Sequence, residues 1–292
     1  MKVGILGNDG KKWHIQRLLR ELRGRGVEAY VFPATRLVSR ITAEPKISVK
    51  SYMIEDYDAV IVRRMPGGTA EKVFYRMDAL HMLEEYGVHV VNPPLSIEKS
   101  VNKYYTSALL EKAGLTCPRT VVTESFTEAM NAFEELGGDV VVKPLFGSLG
   151  AGINRLTDRD IAYRVFRALE STQSVFYLQE YIPHGNADIR VFVVGGEVVA
   201  SMRRVAAGWK TNISSGATPE PYEPTGEEVE TSLKAAETLG LEYTGVDLMR
   251  SEVDETLYTL EVNSTPGWEG LQKVTAVDVA KRLVEHIFER LR

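Results

Sequence analysis

The most informative segment of this sequence is Thr259-Leu-Glu-Val-Asn-Ser-Thr-Pro-Gly267, preceded by Gly245-Val-Asp-Leu-Met249. Glu261 and Asn263 are two residues apart in a predicted strand, so both side chains leave the same face. Asp247 lies in an apolar run that can pair antiparallel with this strand, which would bring three oxygen-bearing side chains together. Carboxylate and amide oxygens bind magnesium beside phosphates. From the spacing alone, the commoner explanation is that Glu261 and Asn263 form the solvent-exposed face of an edge strand.

Composition limits the partners of this chain. Its 292 residues suffice for one to three compact units, and 35 basic against 40 acidic residues argue against nucleic acid as a partner. The single Cys117 excludes an intrachain disulfide framework and fits a reducing cytosol. The five histidines are dispersed, which argues against zinc. No signal peptide or membrane-spanning stretch is evident in the sequence, so we expect a cytoplasmic protein without a membrane partner.

The first part of the chain alternates strands and helices. Strands are predicted at Met1–Gly7, Val27–Phe32 and Tyr57–Val62, with a helix at Trp13–Gly26 between the first two. This alternation is typical of a parallel open sheet, and we predict a Rossmann-like lobe that shapes a cleft. The three glycines in the first ten residues are spaced G-x-x-G-x-x-G rather than G-x-G-x-x-G. No acidic residue that could bind a ribose follows at the expected distance, so a dinucleotide site is not favoured.

Two consecutive prolines in Val90–Pro94 stop regular structure and end this lobe. We therefore predict an N-terminal lobe over 1–94, a central unit over 95–178 and a C-terminal unit over 179–292. The central unit begins with a helix predicted over Ser96–Gly114, with serine at its start and glycine at its end. The metal-binding candidates belong to the last unit.

A glycine-rich loop follows Lys143, the last residue of a predicted strand. The segment Pro144–Ile153 contains Gly147, Gly150 and Gly152, whose small size lets backbone N–H groups approach an anion closely. A Walker P-loop has a lysine after its glycines, whereas here Lys143 precedes them. This order suits a mobile loop that closes on nucleotide phosphates, although an ordinary hairpin turn has a similar composition.

Residues that suit the rest of a nucleotide follow in the C-terminal unit. Gln179–Ile182 offers backbone groups, a carboxylate and apolar walls to a base and ribose, although a plain strand end is the alternative. Asp188 and Arg190 share one face of a predicted strand, and Arg203-Arg204 ends the next. A structural ion pair is the alternative to phosphate binding by these arginines. Lys210–Gly216 supplies a cation, an amide and hydroxyls on a loop.

Taken in order, these residues resemble the RimK-type ATP-grasp α-L-glutamate ligases. The similarity spans nearly the whole chain and is carried by Lys103, Lys143, the glycine loop, Gln179–Ile182, Asp188, Arg190, Arg203-Arg204, Asn212, Asp247 and Glu261–Gly267. Each motif is weak alone, but their joint order favours the metal interpretation of Glu261 over a solvated strand. The resemblance implies an α/β protein, in which a Rossmann-like N-terminal lobe precedes a two-subdomain ATP-grasp fold of α+β character.

The resemblance also implies roles for individual residues. ATP would be held by the lysines and loops, namely Lys103, Lys143, Gly147, Ser148, Gly150, Gly152, Arg190, Lys210, Thr211 and Asn212. The adenine and ribose would be held by Gln179, Glu180, Tyr181, Ile182 and Asp188. Two magnesium (or manganese) ions would be bound by Asp247, Glu261 and Asn263. Arg203 and Lys143 would act in catalysis, with Arg203 facing the transferred phosphoryl group. The family has an arginine where this chain has Lys210.

The reaction implied by the resemblance joins L-glutamate to a carboxylate acceptor. The carboxylate attacks the γ-phosphate of ATP, and an amine then displaces phosphate from the acyl phosphate. Among the members of this family, the motif sequences most resemble those of ligases that act on a pterin carrier, tetrahydromethanopterin. The tail of a deazaflavin coenzyme, the C-terminus of a ribosomal protein and an amino-group carrier protein are alternative acceptors. A nucleotide-binding regulator without turnover is the non-enzymatic alternative.

Two pairs of residues are candidates for contacting the acceptor. Arg63 or Arg64, at the end of a predicted N-terminal strand, would pair with its carboxylate, and Trp209 or Trp268 would pack on its tail. A solvated arginine pair and core tryptophans are the competing explanations, and the sequence favours neither. We also expect a homo-oligomer.

Overall fold

The computed structural model describes residues 1–147 and 150–292. Its N-terminal lobe contains β1 Lys2–Leu6, α1 Trp13–Gly24, β2 Glu28–Phe32, β3 Val38–Ser39, β4 Ile47–Val49, β5 Tyr52–Met53, β6 Ala59–Val62, α2 Ala70–Glu85 and β7 His89–Val91. A parallel sheet has the strand order β2-β1-β6-β7, and β3, β4 and β5 form a separate three-stranded antiparallel sheet. The predicted Rossmann-like alternation is confirmed.

The parallel sheet is apolar because helices cover both of its faces. Ile5 and Ile61 belong to the same buried cluster as Leu18 of α1, whereas Val60 and Val62 belong to a second cluster with Leu80 of α2. Alternate residues of each strand therefore enter different cores, as the period of two requires.

The next part of the chain contains α3 Pro94–Val101, α4 Lys103–Lys112, β8 Thr120–Thr123, α5 Phe126–Glu135, β9 Val140–Lys143, β10 Asn154–Leu156, α6 Arg159–Ser171 and β11 Phe176–Glu180. Its strands form an antiparallel sheet in the order β10-β9-β11-β8, called the small sheet below. Phe133, Phe166 and Phe176 join α5 and α6 to this sheet in one buried cluster.

The helix predicted over Ser96–Gly114 is instead two helices. Asn102 has an extended backbone, and its side-chain oxygen accepts a hydrogen bond from the Tyr105 N–H at 3.1 Å. This cap ends α3 and starts α4. Lys103 consequently becomes the first residue of a helix.

The last part contains β12 Ala187–Val194, β13 Glu197–Val205, β14 Thr218–Pro221, α7 Gly226–Leu239, β15 Tyr243–Arg250, β16 Leu257–Asn263, α8 Glu269–Gln272 and α9 Val279–Arg290. The large sheet is antiparallel, in the order β14-β13-β12-β15-β16. Val191 and Val246 pack with Leu239 of α7, whereas Phe192 and Trp268 join the cluster that contains α1. The large sheet and the N-terminal lobe therefore share one core.

The pairing of β15 with β16 contains a bulge. Asp247 is opposite Glu261 and Leu248 is opposite Thr259, so Leu260 is the extra residue. A bulge of this kind redirects side chains next to it. Among the helices of the described residues, none has the length and apolar character needed to cross a lipid bilayer.

Candidate active site

A cleft between the small and large sheets brings together most of the residues singled out in the sequence. Its walls include Lys103, Lys143, Gln179, Glu180, Tyr181, Ile182, Asp188, Lys210, Thr211, Asn212, Asp247 and Glu261. Further lining comes from Pro118, Val141, Ile153, His184, Arg204, Trp209, Met249 and Leu260. Ser148, also predicted to bind ATP, lies outside the described residues. Polar and apolar groups from distant parts of the chain thus converge, as a ligand site requires.

Two lysines enter the cleft beside the small sheet. Lys103 places its Nζ 3.6 Å from Oε1 of Glu261 and donates a hydrogen bond to the Gly147 carbonyl at 3.0 Å. Lys143 donates to Oε1 of Gln179 at 2.5 Å. Desolvation, opposed by Glu261 and assisted by Lys103, lowers the pKa of Lys143 to about 8. Both ammonium groups are therefore placed to gain from an anionic ligand.

The glycine loop closes against the segment that contains Asn212. Gly150 and Gly152 have φ angles of +71° and +77°, a region that favours glycine. A Cβ atom on Gly150 would lie 2.6 Å from Oδ1 of Asn212, so any larger residue there would displace the Asn212 side chain. Lys210 donates to the Ile153 carbonyl at 2.7 Å and so joins the same two segments.

The end of β11 forms the wall predicted to hold adenine. The Arg155 guanidinium carbon lies 3.3 Å from the ring centroid of Tyr181. The Glu180 carboxylate accepts hydrogen bonds from the backbone N–H and Nε of Arg119, at 2.7 and 2.8 Å. That carboxylate is already used within the protein, so a bound base would meet the apolar surfaces of Tyr181 and Ile182.

A buried network of charges lies on the face of the large sheet. Arg204 binds both oxygens of Asp188 at 2.6 and 2.5 Å and reaches Oδ2 of Asp247 at 3.0 Å. Arg190 binds both oxygens of Asp247 at 2.6 Å, and the Thr211 hydroxyl donates to Asp188 at 2.5 Å. Although desolvation opposes it, the two arginines hold the pKa of Asp247 below its ordinary value. Asp247 is therefore ionised at neutral pH.

The strand register corrects one sequence-based assignment. Arg203 is exposed, because the period of two in β13 turns it away from the cleft and turns Arg204 inward; the catalytic assignment of Arg203 was wrong. Arg190 forms the bidentate pair with Asp247, and Asp188, which lines the cleft, accepts from Arg204 and Thr211. The assignment of Arg190 and Asp188 to a nucleotide stays a prediction.

The three predicted metal ligands lie on the β15–β16 hairpin. Asp247 is opposite Glu261, and Asn263 is opposite Gly245 two residues away, so all three belong to one end and one face. Within the described ranges, no group of three His, Cys, Asp or Glu side chains is placed to hold a metal. The donor set fits an ion that takes two carboxylates and an amide oxygen and completes its shell with phosphate and water. Asp247 would then exchange an arginine contact for the ion.

Two of the residues suggested for the acceptor belong to the core. Arg63 is 9% exposed and donates to the Tyr243 hydroxyl at 3.0 Å and to the Pro266 carbonyl at 2.7 Å. Its guanidinium carbon lies 4.4 Å from the ring centroid of Trp268, which is fully buried. Neither side chain is accessible to an acceptor, so these two suggestions were wrong. Sequence spacing carried no information about this tertiary burial.

The other two acceptor candidates differ from each other. Arg64 is exposed at the end of β6. Trp209 is half-buried and its ring centroid lies 6.3 Å from that of Tyr181, so it belongs to the same wall as Tyr181. His184, also in this wall, was missed by the sequence analysis. Its position two residues after Ile182 was the feature of the sequence that could have indicated a place in this wall.

A buried asparagine braces the β15–β16 hairpin from the N-terminal lobe. Asn92 donates through Nδ2 to the carbonyls of Tyr243 and Ser264, at 2.8 and 2.7 Å. Its Oδ1 accepts from the N–H groups of Glu242 and Tyr243, at 2.7 and 3.0 Å. The amide therefore ties the start of β15 to the segment that follows β16.

Two antiparallel sheets that close on a nucleotide are the architecture of an ATP-grasp ligase, and solved structures of that class superpose on this chain. A RimK-domain ATP-grasp protein from Sphaerobacter thermophilus does so with a TM-score of 0.79 over 98% of this chain and 99% of that chain, at 19% identity. The ATP-grasp ligase PsnB, complexed with a minimal precursor, Mg and ADP, has a TM-score of 0.75 over 99% and 98%, at 24% identity. These likenesses establish the fold.

Sequence comparison identifies the family. Residues 100–287 match the RimK-like ATP-grasp domain, and residues 1–97 match the RimK PreATP-grasp domain. The chain is 36% identical to the tetrahydromethanopterin:α-L-glutamate ligase of Methanocaldococcus jannaschii, over 100% of each chain. It is 35% identical to a probable α-L-glutamate ligase of Aliivibrio fischeri, over 98% of this chain and 95% of the other. The chain belongs to the RimK-like ATP-grasp family.

Membership in this family confirms the predicted class of activity. The protein is an ATP-grasp ligase, an enzyme that forms an amide bond and uses ATP with a divalent metal ion. The alternative of a nucleotide-binding regulator without turnover is therefore set aside.

Proposed function

We propose that this enzyme adds L-glutamate to the terminal carboxylate of tetrahydromethanopterin, giving tetrahydrosarcinapterin. The observation that carries the proposal is 31–36% identity, over at least 98% of this chain, to three relatives named as ligases for that acceptor. A second candidate is an α-L-glutamate ligase for another carboxylate, such as a deazaflavin coenzyme tail or a protein C-terminus. The 35% identity to the Aliivibrio fischeri relative supports this second candidate.

In this proposal the phosphates of ATP bind three lysines and the glycine loop. Lys103, Lys143 and Lys210 each donate at present to a protein oxygen, on Gly147, Gln179 and Ile153 respectively. A phosphate oxygen makes a stronger, charge-assisted hydrogen bond than a neutral carbonyl does. ATP would therefore replace contacts for which the side chains are already positioned.

We assign the divalent metal to Asp247, Glu261 and Asn263, and we propose two magnesium ions that manganese can replace. When bound, the metal neutralises negative charge on phosphate oxygens. Arg190 and Arg204 keep Asp247 ionised and oriented, and in this proposal the carboxylate exchanges an arginine contact for the cation. Lys103, 3.6 Å from Glu261, places a further positive charge at the junction of metal and phosphate sites.

The proposed reaction has two steps. A carboxylate oxygen of the acceptor bonds to the γ-phosphorus of ATP, and the bond to the bridging oxygen breaks as ADP leaves. The glutamate amine then bonds to the acyl carbon, and phosphate leaves with the former carboxylate oxygen. Both steps concentrate negative charge on oxygens, so preorganised cations stabilise the transition states. Arg204 uses Nε and Nη2 in its carboxylate contacts, and we assign Nη1 to the transferred phosphoryl group.

The mechanism uses no covalent enzyme intermediate. Burial raises the pKa of the Cys117 thiol to about 11, so this group stays protonated at neutral pH and is a poor nucleophile. The enzyme instead positions the reactants and keeps water from the acyl phosphate.

We place the acceptor at the carboxyl ends of β1 and β6. In the order β2-β1-β6-β7 the chain leaves these two neighbouring strands in opposite directions, and such a crevice is where ligands bind in open α/β sheets. The N–H groups of Arg63 and Arg64 both donate to the Leu6 carbonyl, at 2.9 and 3.2 Å, which fixes the backbone there. The exposed Arg64 guanidinium is our candidate for the acceptor carboxylate.

We further propose that the enzyme acts as a homo-oligomer in the cytoplasm. A groove beside β13 and β14 is lined by apolar side chains that a second copy would cover, among them Val198, Tyr222 and Leu233. The single, half-buried Cys117 suits a reducing compartment. Light scattering of the purified protein would measure the oligomeric state, and a monomer at micromolar concentration would contradict this part of the proposal.

A parallel assay of acceptors tests the proposed substrate. Purified enzyme, ATP, magnesium and glutamate would be offered tetrahydromethanopterin, a deazaflavin coenzyme and a protein C-terminal peptide separately. We expect a mass gain of one glutamyl unit on the pterin, with ADP released only when both glutamate and the acceptor are present. Glutamylation of another acceptor alone would contradict the pterin assignment and support the second candidate.

A further inference from the structure

The crevice at the carboxyl ends of β1 and β6 is bordered by the N-termini of two helices. The helix after each strand of a parallel sheet begins at this edge, and here α1 follows β1 and α2 follows β6. Lys12 and Thr69, the residues before these helices, make no capping hydrogen bond with their side chains. Side chains do cap α4, α5, α6, α7 and α9. The first N–H groups of α1 and α2 are therefore left for water or for a ligand, and they favour an anion.

A buried arginine lies beside the start of α2. Arg76 is 6% exposed, and its Nη1 donates to the carbonyls of Pro66 and Gly67, at 2.5 and 3.4 Å. Its Nη2 has no hydrogen-bond partner among residues 1–147 and 150–292, and it lies 3.6 Å from the position that a Cβ atom would occupy on Gly68. Because Gly68 is exposed, this unpartnered nitrogen lies at the edge of the crevice.

No carboxylate neutralises Arg76 in the part of the chain that the structure describes, since both of its acceptors are carbonyls. Arg204, which is also buried, is instead paired with Asp188 and Asp247. A buried charge without a partner is costly. The contrast therefore points to a counter-charge that a ligand supplies to Arg76.

Further positive charge surrounds the same crevice. Arg63 also donates only to neutral oxygens, and its Nε has no partner within the described ranges. Burial, together with the charge of Arg63, lowers the pKa of His14 in the first turn of α1 to about 4. Asp9 accepts a hydrogen bond from the Lys11 N–H and is exposed. The whole chain has a net charge of −5, so this concentration of cations is a local feature.

We propose that the acceptor carries a second anionic group, a carboxylate or a phosphate, which binds at an α2 anion site. This site consists of the first N–H groups of α2 and Nη2 of Arg76, and Gly68 leaves the space for the ligand. A guanidinium and a helix N-terminus together give charge-assisted hydrogen bonds to either oxyanion. The assignment rests on the proposed function, which places the acceptor at this crevice, and it deepens that function: the acceptor has at least two negative charges, and Arg64 is left for the carboxylate that is phosphorylated.

Two substitutions of Gly68 test the site without removing a buried side chain. The nearest atoms to a Cβ on Gly68, from Lys72 and Arg76, would lie at 3.4 and 3.6 Å, so a side chain fits there. Gly68→Asp would place a carboxylate against Arg76 and occupy the anion site from within the protein. Gly68→Asn has the same size without the charge and is the matched control. Circular dichroism of both variants checks that they fold.

Inhibition of tetrahydromethanopterin glutamylation by small carboxylates measures the second charge. Glutaramate, glutarate and 4-phosphonobutyrate share one chain and differ in the group at its far end, and longer homologues cover other spacings. We expect the wild type to be inhibited by the second or third compound at roughly tenfold lower concentration than by the amide, the value of one charge-assisted hydrogen bond. Gly68→Asn should keep this ratio. Gly68→Asp should lose it and should raise KM for the acceptor much more than it lowers kcat.

The stronger inhibitor of the pair glutarate and 4-phosphonobutyrate identifies the group as a carboxylate or a phosphate. Equal inhibition by the amide and by both charged compounds in the wild type, or an unchanged ratio in Gly68→Asp, would overturn the inference.

Calorimetry of the same compounds with the nucleotide-free protein separates this failure from a failure of the proposed function. If tetrahydromethanopterin is not glutamylated, but the charged compounds still bind preferentially to the wild type and not to Gly68→Asp, the anion site stands and the proposed acceptor is wrong. If tetrahydromethanopterin is glutamylated and neither measurement shows a preference for the second charge, the proposed function stands and the anion site is wrong.

Discussion

The two walls of the cleft are built in different ways. The large sheet shares its core with the N-terminal lobe, through Phe192 and Trp268, and it is braced by Arg63 and Asn92. The small sheet packs on α5 and α6 around a cluster of its own. Polar contacts that a nucleotide can replace, such as Lys103 with Gly147, cross between the walls. The wall that carries the proposed metal ligands is thus joined to the N-terminal lobe, while the wall that we propose covers the base is a separately packed body.

The largest effect is expected at the proposed metal ligands. Glu261→Gln should lower kcat by roughly 1000-fold because it removes a carboxylate from the site where phosphoryl charge is neutralised. Asp247→Asn should be equally damaging, and both variants should stay folded. Steady-state kinetics at increasing magnesium, with circular dichroism as a check on folding, would measure this. Activity restored to the wild-type level at saturating magnesium would remove these residues from the metal site.

The difference in core structure predicts different patterns of local stability. Phe166→Ala should cost about 3–5 kcal/mol, and the loss should be confined to the small sheet with α5 and α6. Trp268→Ala should cost a similar amount but should speed hydrogen exchange in the N-terminal lobe and the large sheet together. Hydrogen exchange with mass spectrometry distinguishes these patterns. The same global pattern in both variants would show that the walls are one cooperative unit.

The neighbouring arginines of β13 offer a matched pair. Arg204→Ala should lower kcat by roughly 100-fold and destabilise the fold by about 3 kcal/mol, because Asp188 and Asp247 lose a buried partner. Arg203→Ala should change stability by less than about 0.5 kcal/mol, since this side chain is exposed. Kinetics and denaturant unfolding of both variants make the comparison. Equal losses in the two variants would reverse the assignment of the inward-facing arginine.

The smallest effect concerns a proton on Lys143. Because the pKa of Lys143 is about 8 in the free protein, its ammonium is present below that pH and is lost as pH rises through it. A bound polyphosphate favours the ammonium and raises this pKa, so ADP binding at pH 8.5 should take up protons, to at most about one per site through Lys143.

Calorimetry in buffers of different ionisation enthalpy would measure this proton uptake. The variant Lys143→Met should take up fewer protons, and Lys72→Met, which changes an exposed lysine of α2, should match the wild type. Unchanged uptake in Lys143→Met would assign the proton to another group.

The sequence predicted those features that depend on local periodicity. Glu261 and Asn263 were placed on one face from their spacing, and the strand and helix alternation of the first lobe followed from its apolar pattern. The choice between Arg203 and Arg204 was missed because it depends on where the period of two starts in β13. The break at Asn102 was missed because a single side-chain cap divides an otherwise helical pattern.

Tertiary burial was beyond the reach of sequence spacing. Arg63 and Trp268 lie close in the sequence to residues of the cleft. In the structure, however, they stack on each other at the core that the N-terminal lobe shares with the large sheet. The partners of Asp188 and Arg190 were likewise undetermined, because a bidentate ion pair requires knowledge of strand register. For a charged residue with several possible partners, the sequence alone therefore does not predict which ion pair forms.

Activation of the acceptor carboxylate by phosphorylation, before its joining to glutamate, can be followed through a single oxygen atom. Acceptor labelled with heavy oxygen in its terminal carboxylate would be converted with ATP and glutamate, and the released phosphate would be analysed by mass spectrometry. Each released phosphate is expected to carry one labelled oxygen, because the carboxylate oxygen that bonds to the γ-phosphorus leaves with it. Amide product accompanied by unlabelled phosphate, or by label in AMP, would show that no acyl phosphate forms.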